Sequence, residues 1–416
     1  MNATLTATLF DRARLARAAD GLAVAAVASM PWSTSATSAL IVLWLVAVVP
    51  TLDWPAVRRE LWTAAGGLPV LFWLLGAIGM LWADVPWQER LGGLDSFHRF
   101  LLIPLLLAQF RRSGNGRWVA IGFLASCAVL LVASYIHAVW RTWHPSPFPM
   151  IFIPGIPVKD YILQSGEFQI CTFGLGFAAV EAWRSGRPRL ALGLALLAGA
   201  FLVNIVYIAT GRTIIVVMPV LLALFGLRLF GWKGVFGVVA AGAAIAAIFW
   251  ASSPYLRDRV LHAVREVQLY QTENADTSSG ERLEMWKKSL RFVAAAPVLG
   301  HGTGSIEQQF RASAGDSGMS AIISNNPHQQ TLTVAIQLGL VGVAVMFAMW
   351  VAHLALFRGG GLIAWTGLVV VVQNVVSSLF NSHLFDFNQG WLYVFGVGVL
   401  GGIVLGMRSR DPAASK

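Results

Sequence analysis

Hydrophobic residues form long uninterrupted runs, and short polar segments separate these runs along the chain. The stretches "VAIGFLASCAVLLVASYIHAVW" and "ALGLALLAGAFLVNIVYIA" are two examples without a charged residue. Helices that cross a membrane need about 17–25 mostly apolar residues, whereas the strands of a membrane barrel alternate apolar with polar positions. The runs therefore predict an all-α polytopic membrane protein. They predict about twelve transmembrane helices, centred near residues 27, 45, 74, 103, 129, 175, 198, 221, 242, 342, 370 and 399.

The composition favours the bilayer as the solvent of this chain. Hydrophobic residues make up 56% of it and charged residues 12%, whereas about a quarter of the residues of a soluble domain are charged. The formal net charge of +10 raises the question of nucleic-acid binding. The basic residues, however, fall in short clusters between apolar runs, so we expect no nucleic-acid partner. Cys127 and Cys171 lie in apolar runs, where we expect them to pack rather than to form a disulfide.

The clusters of basic residues predict the orientation of the helices, because cytoplasmic loops are enriched in lysine and arginine. With both termini in the cytoplasm, more than half of the 30 lysines and arginines fall in cytoplasmic segments: Arg12, Arg14, Arg17, Arg58, Arg59, Arg111, Arg112, Arg117, Arg184, Arg187, Arg189, Arg228, Lys233, Arg358, Arg408, Arg410 and Lys416. The short external loops then hold Arg90, Arg99, Arg141, Lys159 and Arg212. This bias predicts an even number of spans with both ends inside.

We interpret the chain as a single membrane domain, residues 1–416, with two large external segments. Residues 141–166 are rich in proline and aromatic residues. Residues 251–327 form the largest polar stretch and lie between spans nine and ten. Long loops in compact proteins are usually functional. The N-terminal segment, residues 1–20, lacks a signal-peptidase type of cleavage site after an apolar core, so we expect it to be retained.

A helix is predicted inside the second external segment, in "SSGERLEMWKKSLRFVAAAP". Ser278 and Glu281 have the spacing of a capping box, and Pro297 ends the helical pattern. An apolar stripe is predicted on one face of this helix, formed by Leu283, Trp286, Leu290 and Val293. The segment leads into the next apolar run through "SNNPHQQTLTVAIQLGLVG", so these polar residues are expected on the external side.

His328 lies among side chains that can hydrogen-bond a sugar. Asn325 and Asn326 precede it and Gln329 follows it, while a proline directly before it constrains the backbone. A neutral imidazole accepts a proton near pH 7 without extreme tuning. The pattern indicates a polyhydroxylated ligand with His328 as a general base. The alternative is an interfacial histidine that caps or anchors its helix.

Two arginines are candidates for binding an anion on the same side. Arg212 lies in a very short external turn between two apolar runs, where an ionisable group is costly and often functional. Arg282 lies near the start of the predicted external helix, and a helix N-terminus with a guanidinium suits a phosphate or pyrophosphate. The alternatives are a side chain that reaches lipid phosphates, for Arg212, and a plain surface residue, for Arg282.

Asp386, in the last external loop, is a further polar candidate; the alternative is an ordinary solvated turn residue. His301, in "LGHGTG", is expected to be a turn residue. No D-x-D or E-x-D sequence is present, and a transferase that holds Mg²⁺ or Mn²⁺ needs oxygen ligands, usually carboxylates. We therefore predict no metal and no other cofactor, with arginines stabilising the charge of the leaving group.

Three motifs resemble those of bacterial O-antigen ligases, within the superfamily that also contains O-antigen polymerases and protein O-oligosaccharyltransferases. They are "TGRT" at 210–213, "SGERLEMWKKSLRFVAAAPVLGHGTGS" at 279–305 and "PHQQTLTVAIQLGLVG" at 327–342. The residues that match the family pattern are Arg212, Arg282, Trp286, Pro297, Gly300, Gly302 and His328. Two positions depart from it: Gln329 stands where the family usually has Asn, and Gln337 where it usually has Glu.

The resemblance implies a reaction at a periplasmic active site. An O-antigen polysaccharide on undecaprenyl pyrophosphate is transferred to a sugar hydroxyl of lipid A–core, at the bacterial inner membrane. It implies that His328 is the general base and that Arg212 and Arg282 bind the pyrophosphate. One attack at the anomeric carbon would invert its configuration. The residues expected to support the site and bind sugar are Asn325, Asn326, Gln329, Asp386 and Trp286.

Other functions remain open on the sequence. An O-antigen polymerase would use the same donor with a second lipid-linked glycan as acceptor. A protein-glycosylating member is expected to be longer, with an additional external region after its last span. A membrane transporter could also have twelve spans with both ends inside, but acidic residues for ion coupling within the spans are scarce, and no repeat of one half in the other is evident.

Overall fold

The computed structural model describes residues 11–140, 153–209, 211–273, 276–316 and 318–410. The regular structure of these residues is helical. The first helices are α1 (Arg12–Ser29), α2 (Thr34–Val48), α3 (Trp54–Leu61), α4 (Ala64–Gly79), α5 (Trp87–His98), α6 (Leu102–Arg112), α7 (Gly116–Val139), α8 (Tyr161–Arg184) and α9 (Pro188–Tyr207). They are followed by α10 (Arg212–Ser252), α11 (Pro254–Glu273), α12 (Ser278–Ala295), α13 (Ile306–Ala312), α14 (Gln330–Leu356), α15 (Gly361–Ser377), α16 (Phe387–Phe395) and α17 (Gly401–Arg410).

Among the described residues, 7 helical segments are long and apolar enough to cross a membrane. They are Thr34–Thr51, Trp87–Arg112, Gly116–Val139, Pro188–Tyr207, Thr213–Ser252, Gln330–Leu356 and Phe387–Arg410. Helices α3 and α4 add an eighth if they count as one span, although they are bent by 81°. The predicted all-α membrane architecture is thereby confirmed. Every predicted span centre lies in a helix, but twelve spans remain a prediction, because several apolar runs form bent or short helices such as the 17-residue α15.

Helix α10 is bent back on itself at Gly231. The backbone of Gly231 leaves the helical region, with φ 65° and ψ −161°. A Cβ atom added at Gly242 would lie 3.0 Å from Leu222 Cδ1, so the two arms pack side by side. The span centres predicted near residues 221 and 242 therefore lie on different arms of one bent helix.

Apolar side chains fill the centre of the helix bundle and also cover much of its outside. Phe168 and Phe201 pack edge to face in the interior, with ring centroids 4.9 Å apart, and Trp365 is fully buried. On the outside, Val46 and Leu196 are two-thirds exposed. Helices that are apolar on all faces are typical of a chain whose outer surface contacts lipid.

The basic residues of the predicted cytoplasmic loops meet at one end of the bundle. Hydrogen bonds or ion pairs join Arg12 with Pro50, Arg111 with Glu60, Arg112 with Asp53, Arg184 with Leu229, Arg228 with Gly359 and Arg408 with Leu356. Helix α17 packs along α6, so the contacts around Arg408 on α17 lie next to those around Arg111 on α6. The chain thus returns repeatedly to the same end, as alternate crossing requires, and carries its cationic loops there.

The large polar segment 251–327 forms helices α11 to α13, and two details of the prediction for α12 are wrong. The N-terminal cap of α12 is Thr277, whose side chain accepts a hydrogen bond from Gly280 N, and not Ser278. The predicted apolar stripe also fails at Leu290, which is 61% exposed. The buried face is rotated because α12 packs on α13 and α14, in a small core of Met285, Phe292, Ile306, Phe310 and Ile336.

The first predicted external segment is described only in part, since residues 141–152 lie outside the described residues. The part that follows is held to the bundle by hydrogen bonds from two directions. Ser134 Oγ donates to the carbonyl oxygen of Gly155 over 2.5 Å, and Lys159 Nζ donates to the carbonyl oxygen of Met30. These bonds fix the approach to α8.

Candidate active site

A glycine-rich loop, residues 297–305, holds a break in α14. Gly339 interrupts this helix with φ 60°, and a Cβ atom there would lie 2.2 Å from the carbonyl oxygen of Val298. Only glycine combines this backbone conformation with so close an approach. Across the break, Leu340 N donates to Pro297 O over 2.8 Å and His301 N to Ile336 O over 2.8 Å. The glycines of "GHGTG" therefore build the scaffold beneath the site.

Two polar residues of this scaffold make local contacts. His301 Nε2 lies 2.9 Å from the carbonyl oxygen of Phe292, which agrees with the predicted role as a turn residue. Gln337 Oε1 accepts a hydrogen bond from Gly304 N over 2.9 Å, and Gln337 Nε2 donates to Thr333 O over 3.1 Å. An amide oxygen is sufficient for the first bond, so glutamine at position 337 keeps the acceptor that a glutamate would supply.

His328 is held in an unusual backbone conformation just before α14. Its φ is 53°, which is uncommon for a residue other than glycine. The His328 N–H donates to Asn326 Oδ1 over 2.9 Å, and Trp286 Nε1 donates to the carbonyl oxygen of Pro327 over 3.0 Å. Asn326 Oδ1 also accepts from Ser382 Oγ over 2.7 Å. Contacts from α12 and from the loop before α16 thus fix the residue, as is frequent for strained residues at functional sites.

The electrostatics place Arg282, His328 and His383 in one cluster. Burial lowers the pKa of His328 below its ordinary value, and the nearby charge of Arg282 lowers it further. Burial lowers the pKa of His383 to about 3, with further lowering by Arg282 and by His328. Both imidazoles are therefore neutral at pH 7. A neutral imidazole beside a fixed positive charge can accept a proton, and the guanidinium can bind an anion.

The loop between α15 and α16 adds a His–Asp pair to this cluster. His383 Nε2 lies 3.9 Å from Asp386 Oδ2, and His383 Nδ1 lies 2.7 Å from Ser377 Oγ. Burial raises the pKa of Asp386 to about 6, although the charge of Arg99 acts in the opposite direction. Arg99 Nη1 donates to the carbonyl oxygen of Asp386, which orients the start of α16.

Arg212 is the first residue of α10, and its side chain lies outside what the structure describes. The position of its backbone is nevertheless informative. The next residue, Thr213, accepts a hydrogen bond from Asn381 Nδ2 over 3.1 Å. Arg212 therefore begins its helix next to the loop that carries His383 and Asp386.

A polar pocket of about 410 Å³ adjoins the cluster. Of the sequence-predicted residues, Asn325, Asn326 and Asp386 line it. Two other predicted sugar-binding side chains make structural contacts instead: Gln329 Oε1 caps α14 by accepting from Leu332 N over 2.5 Å, and Trp286 bonds to the backbone before His328. The full lining is Glu89, Gly92, Gly93, Ser96, Gly304, Ile306, Glu307, Asn325, Asn326, Thr333, Gln337, Ser382, Phe385 and Asp386.

A second cavity, of about 280 Å³, lies between α1, α7, α8, α9, α15 and α16. It is lined almost entirely by apolar side chains, such as Phe123, Leu175 and Val399, and Cys171 is also among them. It offers no acid–base group for the transfer of a sugar. We therefore place the candidate active site at the polar pocket and at the cluster beside it.

Residues 197–347 match the family model described as O-antigen ligase. The matched segment, a little more than a third of the chain, is similar to O-antigen ligases. The superfamily predicted from the three motifs is thereby confirmed. The O-antigen ligase match runs from the second half of α9 into α14 and contains Arg212, Arg282 and His328, whereas His383 and Asp386 lie beyond it. It supports a glycan transferase of the ligase or polymerase type that uses lipid-linked polysaccharide at a membrane. No match was found among curated proteins.

The sequence interpretation missed three residues of the site. His383 and Arg99 belong to the electrostatic cluster, and Ser382 bonds to the side chain that holds His328. For His383 a local signal existed, because it stands three residues before Asp386 in the polar stretch "NSHLFD". For Arg99 there was none, since its partners lie nearly three hundred positions away along the chain. Among the described residues, no group of three or more His, Cys, Asp or Glu side chains could hold a metal ion.

Proposed function

We propose that this protein is an O-antigen ligase. It transfers O-antigen polysaccharide from undecaprenyl pyrophosphate to a sugar hydroxyl of lipid A–core, on the periplasmic face of the bacterial inner membrane. The observation that carries the proposal is the neutral imidazole of His328, held beside the charge of Arg282 at the edge of a polar pocket. Such a pair meets the two needs of the reaction, a base for the acceptor and a cation for the donor.

The base acts on the acceptor hydroxyl. As the oxygen attacks the anomeric carbon of the donor sugar, its proton passes to a ring nitrogen of His328. The bond from the anomeric carbon to the pyrophosphate oxygen breaks in the same step, so the configuration inverts and undecaprenyl pyrophosphate leaves. His328 contributes because its lowered pKa keeps it in the basic form at neutral pH.

The arginines act on the leaving group. Charge develops on the pyrophosphate as the bond breaks, and donors already in place stabilise such charge without reorganisation. We assign this role to Arg282 and Arg212, and we propose that the reaction needs no metal. The negative charge of the bound pyrophosphate also offsets the repulsion between Arg282 and a protonated His328, so donor binding makes His328 a stronger base.

The membrane orientation follows from the distribution of charge. The end of the bundle where Arg12, Arg111, Arg228 and Arg408 meet other loops carries the cationic segments, and the positive-inside rule assigns such an end to the cytoplasm. The second arm of α10 starts at this end, next to Gly231, so the helices α11 to α13 that follow it lie in the periplasm in this orientation. In this orientation both described ends of the chain are cytoplasmic.

The direct test is transfer by the purified protein in detergent, with no ion gradient. The assay contains undecaprenyl-pyrophosphate-linked polysaccharide and lipid A–core, and it scores the glycosylated lipid A–core on gels. We expect product with the wild type and with His262→Ala, a matched control in which the replaced side chain is 68% exposed. Failure of a folded wild-type preparation to form product would refute the ligase assignment.

The same assay distinguishes the rival functions. An O-antigen polymerase would leave lipid A–core unmodified and would lengthen a second lipid-linked glycan. A deletion strain gives the matching result in cells: loss of a ligase removes the ladders on lipid A–core while polymerised lipid-linked glycan accumulates. A transporter would form no glycosidic bond in detergent at all.

A further inference from the structure

The polar pocket differs in charge from the cluster beside it. Three carboxylates on three separate elements line it: Glu89 on α5, Glu307 on α13 and Asp386 at the start of α16. Among the described residues of its lining there is no lysine, arginine or histidine. Its volume, about 410 Å³, lies in the range of small-ligand sites, which is about 300–1,000 Å³.

The remaining polar groups of the lining suit a polyhydroxylated ligand. Carboxylate and amide oxygens accept hydrogen bonds from sugar hydroxyls, and amide nitrogens and alcohols can donate to them. Phe385 adds one aromatic surface. The amides and alcohols that line the pocket are Asn325, Asn326, Gln337, Ser96, Thr333 and Ser382.

Two of the three carboxylates have cationic neighbours. Arg311 Nη2 forms an ion pair with Glu307, and Arg99 lies close enough to Asp386 to lower its pKa. Within the described residues, no ion pair joins Glu89 to a cation, so its charge is the least compensated of the three. Glu89 is therefore the side chain expected to repel an anionic ligand most.

The pocket and His328 are linked by a hydrogen bond. Asn326 connects them: its Oδ1 accepts from the His328 N–H, while the residue itself lines the pocket. The charge of Arg282 also acts on His328. A sugar in the pocket would therefore lie close to His328, and a pyrophosphate would be attracted to Arg282 rather than to the carboxylates of the pocket.

We infer that this pocket is the acceptor subsite and that it selects a terminal sugar without negative charge. A neutral hexose or an amino sugar fits its lining, whereas a uronic acid or a phosphorylated sugar is repelled, chiefly by Glu89. Its use as the acceptor subsite rests on the proposed function. Its preference for uncharged sugars is a property of the pocket itself and can be measured without catalysis.

The test is saturation-transfer difference NMR on the purified full chain in phosphatidylcholine nanodiscs, which avoid sugar-headed detergents. The probes are methyl α-glucoside and methyl α-glucuronide at equal concentration. We expect the glucoside signal to exceed the glucuronide signal by about tenfold, which corresponds to about 1.4 kcal/mol of repulsion between like charges. Glu89→Gln should raise the ratio of the glucuronide signal to the glucoside signal severalfold. The matched control is Glu281→Gln, an exposed residue outside the lining.

A second variant covers the case in which Glu89→Gln does not fold. Asn325→Lys places a cation at an exposed lining position and should also admit the glucuronide. Equal signals from both sugars in the wild type, or an unchanged ratio in both variants, would overturn the inference. Selective binding without transfer would leave the subsite intact and refute the ligase. Equal transfer to neutral and uronic-acid-terminated acceptors would refute the selectivity and leave the ligase intact.

Discussion

The side chain of Asn326 accepts a hydrogen bond from the backbone N–H of His328, with Oδ1 and N 2.9 Å apart. This bond stabilises a backbone conformation with positive φ that histidine seldom adopts. Because the same oxygen also binds Ser382, it joins the candidate base to the loop that carries His383 and Asp386. The orientation of His328 thus depends on a residue two positions away.

Asn326→Ala should therefore lower both the stability of the site and the rate of catalysis. The substitution leaves the His328 N–H and the Ser382 hydroxyl without their acceptor. Unpaired buried donors cost about 1–3 kcal/mol in stability. We expect kcat to fall at least about tenfold, because a displaced base transfers protons poorly. Asn326→Asp keeps an oxygen acceptor and should retain more activity than the alanine variant. Full kcat in Asn326→Ala would show that His328 does not need this bond.

His328→Ala should reduce the transfer rate by about 10²–10⁴-fold, the usual contribution of a general base. Binding of the lipid-linked donor should remain nearly intact, because Arg282 and Arg212 are retained. The measurements are single-turnover rates and donor affinity, with His262→Ala as the control. An active His328→Ala enzyme would favour the alternative, in which His328 is an interfacial histidine at the start of its helix.

The pH dependence of transfer should report the charge of Arg282. Protonated His328 cannot act as a base, so activity falls as pH drops through its pKa, which lies below the ordinary value of 6.5. Arg282→Gln removes one of the two lowering influences, so the acid limb of kcat/KM should move to higher pH. Arg282→Lys keeps the charge and should leave the limb nearly in place, although it binds the pyrophosphate less well without the planar guanidinium. If the acid limb of kcat/KM does not move in Arg282→Gln, the charge of Arg282 does not act on His328 as the cluster requires.

Gly339→Ala should destabilise the scaffold beneath the site. A Cβ atom at this position would lie 2.2 Å from Val298 O, and the φ of 60° is itself unfavourable for alanine. We expect a loss of at least about 1–3 kcal/mol, as for other strained positions. Gly237→Ala is the control, since a Cβ there meets no atom within 4 Å. A maleimide dye can follow thermal unfolding, because Cys127 and Cys171 are both buried and free. Equal melting temperatures for both variants would refute the role of the break.

Transfer should continue in excess EDTA, because the arginines are proposed to stabilise the leaving group. The measurement compares initial rates before and after removal of divalent cations. A loss of activity that Mg²⁺ or Mn²⁺ restores would transfer this role from the arginines to a metal ion.

Much of the architecture could be predicted from local patterns. Apolar runs of membrane-spanning length predicted an all-α membrane protein, since a buried backbone in lipid must satisfy its hydrogen bonds within each helix. The number of spans was harder to predict, because a bend does not change the hydropathy of the sequence. Examples are the bend at Gly231 and the 81° angle between α3 and α4. The exposure of Leu290 was missed because neighbouring helices select which face is buried. The cap is Thr277 and not Ser278, whose hydroxyl bonds Glu266 on α11 instead.

The sequence by itself determined the membrane class and predicted the superfamily and a candidate base, because run lengths and short motifs are local. Only the tertiary structure brought His383, Arg99 and Glu89 to the site, from three loops or helices with no motif in common. The tertiary structure also showed that the side chain of Gln329 caps α14 and that Gln337 hydrogen-bonds Gly304 in the glycine-rich loop. Charge–charge interactions and hydrogen bonds act through space, so contacts between residues far apart in the chain appear only once the helices have packed.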